Sequence, residues 1–393
     1  MIKKVPIHQT YKYRLYRCDK RDKHLHQMID IAGIIWNHCL ALQKRYYRRF
    51  GKYVSQSRLK SHIAHLRGKT EKYAYWEKVG SQAVQDVIER LDRAYKRFFK
   101  KEAGLPRFKK VKKYSSFTLK QTAGWKMLPD LKVPNAEQKK RGIGQVTISN
   151  RRYKFIKHRE LKGDIKTVTI KRDACGRLWI CFSVVEEIAL PKKVSTGKSG
   201  GFDFGLCTFL IDHTGKQYHA PEPFKLKLAF LKAISRAISR KVKGSGNHKR
   251  ANWQRNRTYI KIADQRRDFH YKLAHALCKE YDHFYFEDLT LDGMKRMWGR
   301  KVSDLGFSKF LKILERVAIK LGKTVTKIDA FAPTSQTCSQ CGHRQKLSLS
   351  ERVFDCQKCN LKLDRDHNAA RNILRTGSSV PTERGLGKSS ASV

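Results

Sequence analysis

The sequence predicts a chain of mixed α/β class that also contains a helical part and an all-β part. Before residue 107, apolar residues recur at three- and four-residue steps, which is typical of amphipathic helices. Between residues 107 and 190 they alternate with polar residues around turn signals, which indicates short strands. After residue 200, strand and helix patterns follow one another, as they do in an α/β unit.

The composition indicates a folded protein with a polyanionic partner. The chain has 393 residues, enough for two or three domains, and its hydrophobic fraction of 40% is ordinary for globular proteins. Lys and Arg number 86 against 34 Asp and Glu, a net charge of +52 that favours nucleic acid over a membrane surface as the partner. The chain has no long apolar run and no signal-peptide pattern, so a cytoplasmic location is expected.

The strongest helix pattern lies between residues 81 and 101. Its apolar residues form one stripe, and Ser81 is the predicted N-cap. The opposite face carries Arg90, Arg93, Lys96 and Lys100. These side chains fit contacts to a phosphate backbone as well as they fit an ordinary solvated surface.

The all-β part is predicted from four segments. Alternation on both sides of the turn DACGR indicates a hairpin, and the segments QVTISN and RRYKFIKH indicate two more strands. The N-terminal segment KYRLYRC also alternates and is expected to complete this unit. Residues 190–200 are rich in Gly, Pro, Ser and Lys and predict a linker.

The α/β part begins with the strand pattern GGFDFGLCTFLID, in which a tight turn falls at Gly205. Two helix patterns follow, the second from about Asn256 to Asp282, and the segment GSGNHKR between them predicts a flexible connection. The strand HFYFEDL, the helix FSKFLKILERVAIKLG and the strand TVTKID complete the pattern. The tail from residue 376 is small and polar and is expected to be disordered.

Three acids differ from the others because they lie in or beside apolar segments. Asp203 lies between two phenylalanines, Glu287 ends the strand HFYFE, and Asp366 precedes the helix HNAARNIL. Taken singly, they are equally well explained as a turn residue, a strand-edge acid and a helix N-cap. Taken together, acids in apolar surroundings need a cation, and carboxylates are the ligands that Mg²⁺ prefers. We therefore predict a Mg²⁺ site, with two ions as the expected number.

The last four of the ten cysteines form two CxxC pairs, Cys338 with Cys341 and Cys356 with Cys359. Four thiolates fill a tetrahedral shell, so the spacing predicts one structural Zn²⁺ in a zinc ribbon. A redox-active CxxC pair is the alternative. The six other cysteines are scattered singly, and in a chain without a secretion signal they are predicted to be reduced thiols.

The segments GFDFG, FEDL, PTSQTCSQCG, FDCQKC and LDRDHNAARNIL, in that order, resemble the TnpB family of transposon-encoded RNA-guided DNA nucleases, which are related to type V CRISPR effectors. The segments IIWNHCLALQ, LDRAYKRFFK and GLPRFKK extend the resemblance into the N-terminal half with less specific motifs. The chain departs from the family pattern at Cys207 and Thr208, where a lysine is frequent, and in RCDKRDKH, which lacks a frequent proline. Neither departure touches the three acids.

The resemblance implies a RuvC-like nuclease of RNase H fold whose catalytic acids fall on Asp203, Glu287 and Asp366, with Asp364 as the alternative for the third. It implies a wedge β-barrel, a helical recognition domain and an inserted zinc ribbon. The expected ranges are 1–17 and 107–195 for the wedge, 18–106 for the recognition domain, 196–330 and 363–375 for the RuvC-like domain, 331–362 for the ribbon and 376–393 for a disordered tail.

The resemblance also implies a Mg²⁺-dependent endonuclease that makes double-strand breaks in DNA beside a short flanking motif. The guide would be an RNA copied from the transposon end, and the partners would be this RNA and double-stranded DNA. The family's motif-reading positions match only approximately, and the nearest residues, whose side chains can read base edges, are Gln56, Ser81, Gln82 and Gln85.

Three other functions remain as alternatives: a miniature type V CRISPR effector, a guided DNA binder or repressor without cleavage, and a transposase that cuts and joins DNA itself. The presence of all three acids argues against the binder. The zinc ribbon and the final helix argue against the transposase.

Overall fold

The structure is a computed structural model that describes residues 4–120, 124–131, 142–189, 196–288, 291–330, 332–348 and 351–379. The chain divides into two compact units, Val5–Ile188 and a second unit that begins at Ala189. The mixed α/β class predicted from the sequence is confirmed. Across these described ranges, no helix combines the length and the apolar character that a membrane span requires.

The first unit opens with a strand and continues with helices. Strand β1 is Lys4–Arg14, and the helices are α1 (Asp19–Phe50), α2 (Gln56–Lys69), α3 (Glu71–Ala74) and α4 (Ser81–Phe99). The predicted apolar stripe of α4 is buried from Val84 to Tyr95. The predicted N-cap is wrong by one residue: Gly80 caps α4 with a φ of 74°, a backbone angle that glycine adopts without strain, and Ser81 is the first helical residue.

The rest of the first unit is formed by two antiparallel sheets. The strands are β2 (Ser116–Leu119), β3 (Trp125–Leu131), β4 (Gly142–Ile148), β5 (Arg151–Lys157), β6 (Asp164–Arg172) and β7 (Leu178–Ala189). One sheet has the order β1-β7-β6-β2 and the other β3-β4-β5, and a single bridge joins Leu15 to Phe155. The predicted hairpin is β6–β7, and the N-terminal strand joins β7 as expected. The helices and both sheets share one hydrophobic core.

The second unit contains a five-stranded sheet, a small two-stranded sheet and five helices within the described residues. Its elements are β8 (Ser199–Asp203), β9 (Leu210–Asp212), β10 (Gln217–Tyr218), α5 (Pro223–Ser239), α6 (Gly246–Glu280), β11 (His283–Glu287), α7 (Leu291–Leu305), α8 (Phe307–Lys320), β12 (Thr324–Ile328), β13 (Val353–Asp355), β14 (Lys362–Asp364) and α9 (Arg365–Ser378). The large sheet has the order β10-β9-β8-β11-β12. Strands β8, β11 and β12 are parallel, and β9 is antiparallel to its two neighbours.

Two boundaries in the second unit differ from the prediction. Helix α6 begins at Gly246, not near Asn256, because Ser245 caps it by accepting a hydrogen bond from the backbone N–H of His248. Most of the segment expected to be flexible is therefore helical. Helix α9 runs to Ser378, so the first residues of the predicted tail are helical too. The rest of that tail from residue 380, and residues 190–195 of the predicted linker, lie outside the described residues.

The two faces of the five-stranded sheet are covered by different helices. Phe202, Phe284 and Phe286 project into a core that they share with side chains of α6 and α8. Because successive strand residues point to opposite faces, Gly201 projects the other way. A Cβ at Gly201 would lie 2.4 Å from the carbonyl oxygen of Ala370, so α9 lies directly on this second face.

Candidate active site and metal centre

Asp203 and Glu287 point to the face of the sheet that α9 covers. Asp203 follows Gly201 by two residues on β8 and shares its side of the strand. On β11, the ring of Tyr285 lies against α9, since a Cβ added to Gly377 would be 2.3 Å from that ring. Glu287 follows Tyr285 by two residues and therefore shares its side of the strand. The pairing of β8 with β11 runs to Phe202 and Phe286, so both acids come one residue later on adjacent parallel strands.

Asp366 reaches the same place from the first turn of α9. The N-cap of this helix is Asp364, whose carboxylate accepts hydrogen bonds from the backbone N–H groups of Asp366 (2.9 Å) and His367 (3.1 Å). The N-cap alternative considered for Asp366 therefore applies to Asp364. The Oδ2 atom of Asp366 lies 3.2 Å from the position that a Cβ would take on Gly205, in the loop directly after β8. Glycine at this position leaves room for the carboxylate.

The three carboxyl groups interact electrostatically. Burial, together with the charges of Asp366 and Glu287, raises the pKa of Asp203 well above its ordinary value. Burial also raises the pKa of Glu287, which a hydrogen bond from the Thr334 side chain partly opposes. Burial and the charge of Asp364 raise the pKa of Asp366, although the positive charges of nearby arginines oppose this shift. The cluster has an excess of negative charge that a cation would relieve.

The chemistry of this cluster fits a hard cation. All three groups offer carboxylate oxygens, the ligand type that Mg²⁺ prefers, and Mg²⁺ usually keeps several waters rather than a full shell of protein ligands. Among the described residues, the three acids do not form a group whose ligand atoms all lie within 4.8 Å of one another.

The four cysteines form a much tighter group. Their Sγ atoms all lie within 4.8 Å of one another, and the closest pairs, Cys338 with Cys359 and Cys341 with Cys356, are 3.6 Å apart. Although burial opposes it, hydrogen bonds from the backbone N–H groups of Cys359 and Lys358 lower the pKa of Cys356 to about 6. Four sulfur ligands in a closed cluster fit a structural Zn²⁺.

The two CxxC turns have the same backbone design. The residue after each pair, Gly342 in the first and Asn360 in the second, has a positive φ of 73° and 56°. Each donates its backbone N–H to the carbonyl oxygen of the first cysteine of its pair, at 3.0 Å in both cases. Glycine and asparagine tolerate this left-handed conformation better than other residues do.

Two buried asparagines attach the first CxxC turn to helix α9. Asn368 accepts a hydrogen bond from the backbone N–H of Ser339 (2.9 Å) and donates to the carbonyl oxygen of Thr337 (2.8 Å). Asn372 donates to the carbonyl oxygens of Thr337 (2.6 Å) and Thr334 (2.8 Å). Neither residue was predicted from the sequence, although two asparagines four residues apart, and so on one side of the helix, are a visible signal.

The same hydrogen bonds lead to the second carboxylate. Thr334 is buried, its carbonyl oxygen accepts from Asn372, and its side chain is hydrogen-bonded to Glu287. A continuous set of contacts therefore runs from the cysteine turn at Ser339 through Asn368 and Asn372 to Thr334 and Glu287. Asp366 lies on the same helix as the two asparagines.

Of the residues in the first unit that were predicted to contact nucleic acid, only some lie close to one another. Ser81 and Gln85 line one groove of about 270 Å³ between α2 and α4, beside Lys60 and Arg67, which the sequence analysis had not singled out. Gln82 turns away from this groove toward Gly124, where a Cβ would lie 3.3 Å from its Oε1 atom.

The remaining predicted contact residues differ in their surroundings. Gln56, the first residue of α2, is not among the residues that line the groove. Arg93 and Lys96 on α4 are exposed, as is Lys100, the residue that follows the helix. Lys96 forms an ion pair with the buried Asp92 at 2.9 Å, so its charge is partly neutralised within the helix.

Three family models match the chain. A Cas12f1-like TNB domain matches residues 307–373, a family described as "Probable transposase" matches residues 179–297, and a helix-turn-helix domain matches residues 1–52. The first match contains all four cysteines and Asp366, and the second contains Asp203 and Glu287.

Relatives with similar sequences extend over nearly the whole chain. A protein of Streptomyces pristinaespiralis, provisionally named an RNA-guided DNA endonuclease, is 28% identical over 380 residues, 94% of this chain and 90% of that protein. InsQ of Escherichia coli, with the same provisional name, is 27% identical and covers 95% of this chain and 93% of its own length. A TnpB-like protein of Acanthamoeba polyphaga mimivirus is 28% identical over 54% of this chain and 43% of its own length. The resemblance to the TnpB family is thus confirmed.

Two solved structures have a similar fold. A Cas12f1 complex with its single guide RNA and target DNA gives a TM-score of 0.54 at 15% identity, covering 91% of this chain and 83% of that one. The mini RNA-guided endonuclease CRISPR-Cas phi3 gives 0.53 at 11% identity, covering 94% and 92%.

Proposed function

Since this chain resembles the TnpB family in sequence and the RNA-guided effectors in fold, we propose that it is an RNA-guided DNA endonuclease. It would make double-strand breaks beside a short flanking motif, in association with a transposon. The observation that carries the proposal is the approach of Asp203, Glu287 and Asp366 to one another beneath the start of α9. The order and directions of the five strands are those expected of an RNase H fold, which supports a RuvC-like nuclease domain.

Asp203, Glu287 and Asp366 are the residues that would hold Mg²⁺. When bound, Mg²⁺ supplies Lewis-acid stabilisation of phosphate charge and lowers the pKa of bound water, and two ions would do both. The chain's own contribution is to fix the carboxylates: Thr334 orients Glu287, and Asp364 begins the helix so that the Asp366 carboxylate is free. The cysteine cluster would hold one Zn²⁺ with a structural role only.

The partners would be a guide RNA copied from the transposon end and double-stranded target DNA. Ser81 and Gln85 are the best placed of the motif-reading candidates because they share a groove with Lys60 and Arg67. Basic side chains bind phosphates and fix the register, while hydroxyl and amide groups read base edges. Gln56 and Gln82 remain weaker candidates for this role, and Arg93 and Lys100 remain candidates for backbone contacts.

The experiment is a plasmid-cleavage assay with the RNA that co-purifies with the protein. That RNA is sequenced, its guide segment is matched to a plasmid target flanked by random sequence, and cleavage is measured with Mg²⁺ or with EDTA. We expect double-strand breaks only with Mg²⁺, with the guide and beside one flanking motif. Guided binding without cleavage would instead support the repressor, and specific binding by RNA-free protein would contradict guidance altogether.

A further inference from the structure

The hairpin formed by α5 and the first half of α6 has an unusual charge composition. Between Pro223 and Ala263 the sequence contains no Asp or Glu but twelve Lys and Arg residues. The nearest acids along the chain lie at its two ends: Glu222, which pairs with Lys225, on one side, and Asp264 and Asp268 on the other. Such a segment attracts polyanions more strongly than a mixed-charge helix does.

One face of α6 concentrates these charges around an exposed aromatic ring. Arg250, Trp253, Arg257 and Lys261 follow at steps of three, four and four residues, so they lie on one side of the helix, and all four are exposed. We call this surface the Trp253 face. The Trp253 side chain is 43% exposed, and the guanidinium of Arg257 lies 5.2 Å from the centre of its ring.

The Trp253 face has uncompensated charge. Among the ion pairs within the described residues, none involves Arg250, Arg257 or Lys261. Further along the same helix, Arg267 pairs with Asp264 at 2.6 Å and Lys272 pairs with Asp268 at 2.8 Å. The two halves of α6 therefore offer a comparison between exposed basic residues with and without acidic partners.

The side chains of the Trp253 face indicate which kind of partner it binds. Arginines spaced along a helix bind phosphates, and an exposed tryptophan between them can stack an unpaired base. A second copy of this chain would bring like charge against like charge, so self-association is disfavoured here. The arrangement therefore fits a single-stranded nucleic acid.

The position of the face favours RNA over the cleaved DNA. The C-terminal half of α6 packs through Leu273 and Leu277 against the sheet face that carries Phe202, opposite to the face that carries Asp203 and α9. Helix α6 is thus attached to the sheet on the side opposite to the carboxylates. We infer that the Trp253 face binds an unpaired stretch of the guide RNA, with phosphates on the basic residues and one base on Trp253, an inference that rests on the proposed function.

The test measures the affinity of single-stranded RNA whose sequence is taken from the RNA that co-purifies with the full chain. We expect Trp253→Ala to weaken binding about tenfold, the loss of one stacked base, and Trp253→Phe to restore most of it. Arg250→Gln with Arg257→Gln should reduce the slope of log affinity against log salt by about two, one for each phosphate contact. The control, Arg267→Gln with Lys272→Gln, removes the same charge from the paired half and should leave the slope unchanged.

Each other result overturns the inference. Equal losses for the two double variants would mean that only total charge matters. If the variants of the Trp253 face bound single-stranded DNA of the same sequence more weakly while their RNA binding was unchanged, the face would be assigned to a DNA strand. A Trp253-dependent change in sedimentation without a change in RNA affinity would assign it to self-association. If wild-type protein cleaves its guided target while every variant binds RNA normally, this inference fails and the proposed function stands.

Discussion

The carboxylate cluster and the cysteine cluster of the second unit are both groups of potential metal ligands, but they are built in opposite ways. The cysteines come from 22 consecutive positions, Cys338 to Cys359, and their sulfur atoms lie within 4.8 Å of one another. The carboxylates come from three elements spread from Asp203 to Asp366 and do not form such a compact group within the described residues. A closed local cluster suits a structural ion, whereas an open cluster leaves room for water and phosphate.

The two clusters are nevertheless joined by short hydrogen bonds. Asn368 and Asn372 attach the first cysteine turn to α9, and Thr334 continues the contact to Glu287. This connection implies that the local cluster stabilises the geometry of the distributed one. Substitutions in each cluster, and then in the hydrogen bonds that connect them, test this implication.

The largest effect is expected from Asp203→Asn. Removing one metal-binding carboxylate should reduce cleavage by about a thousandfold or more, since bound metal stabilises phosphate charge by several kcal/mol. The pKa of folded Asp203 is raised, so its ionised form destabilises the fold above the ordinary carboxyl pKa. In EDTA, the variant should therefore unfold at a higher temperature than wild type at neutral pH, with a difference that disappears near pH 4.

Asp212→Asn is the matched control for the sign of that effect. Asp212 is a buried acid of the same sheet and accepts hydrogen bonds from Thr214, Tyr218 and Tyr281. Although burial opposes it, these bonds and those from backbone N–H groups lower its pKa, so its charge stabilises the fold at neutral pH and this stability is lost on acidification. The variant should unfold at a lower temperature. If Asp203→Asn unfolded at a lower temperature than wild type, this result would contradict the inferred repulsion among the three carboxylates.

The second largest effect is expected from Cys356→Ser. The ribbon has a core of few apolar residues, so loss of one thiolate should lower the zinc content and loosen the start of α9. Cleavage should fall about 10- to 100-fold, as when residues that support a metal site are replaced, while guide-RNA binding is retained. Elemental analysis and the cleavage assay measure both. Cys175→Ser, a cysteine outside the cluster, should change neither, and full cleavage by the zinc-depleted variant would disprove the coupling.

A smaller effect is expected from Asn368→Ala. The half-buried N–H of Ser339 would lose its partner and the carbonyl of Thr337 one of its two donors, at a cost of about 1–3 kcal/mol. Zinc should still bind, but a chelator should remove it faster, and cleavage should fall about tenfold at 1.4 kcal/mol per factor of ten. Arg371→Ala, an exposed residue of the same helix, serves as the control. If cleavage fell while the rate of zinc release stayed unchanged, Asn368 would not act through the cysteine turn.

The smallest effect is expected at Asp364. Asp364→Asn keeps a capping side chain and should be nearly neutral, whereas Asp364→Ala should cost about 1 kcal/mol of stability through the lost N-cap. Thermal unfolding measures the cost, and cleavage should stay within a few-fold of wild type. If Asp364→Asn were as inactive as Asp366→Asn, then Asp364 would be the third metal ligand.

The sequence predicted most elements because their signals are local. The stripe of α4, the hairpin β6–β7 and both CxxC turns depend on residues close together in the chain, whose spacing reports their geometry directly. The errors also have local causes: the cap at Gly80 and the early start of α6 depend on single backbone angles and one serine hydrogen bond. Composition of the surrounding segment does not reveal such details.

The sequence by itself determined most of the elements, the cysteine cluster and the choice of three unusual acids. Only the tertiary structure decided that Asp203 and Glu287 share a face beneath α9, that Asp364 rather than Asp366 caps that helix, and that Asn368 joins it to the ribbon. The physical reason is that strand register, the face of a sheet and contacts between distant segments depend on how the whole core packs. No spacing within one segment encodes those relations.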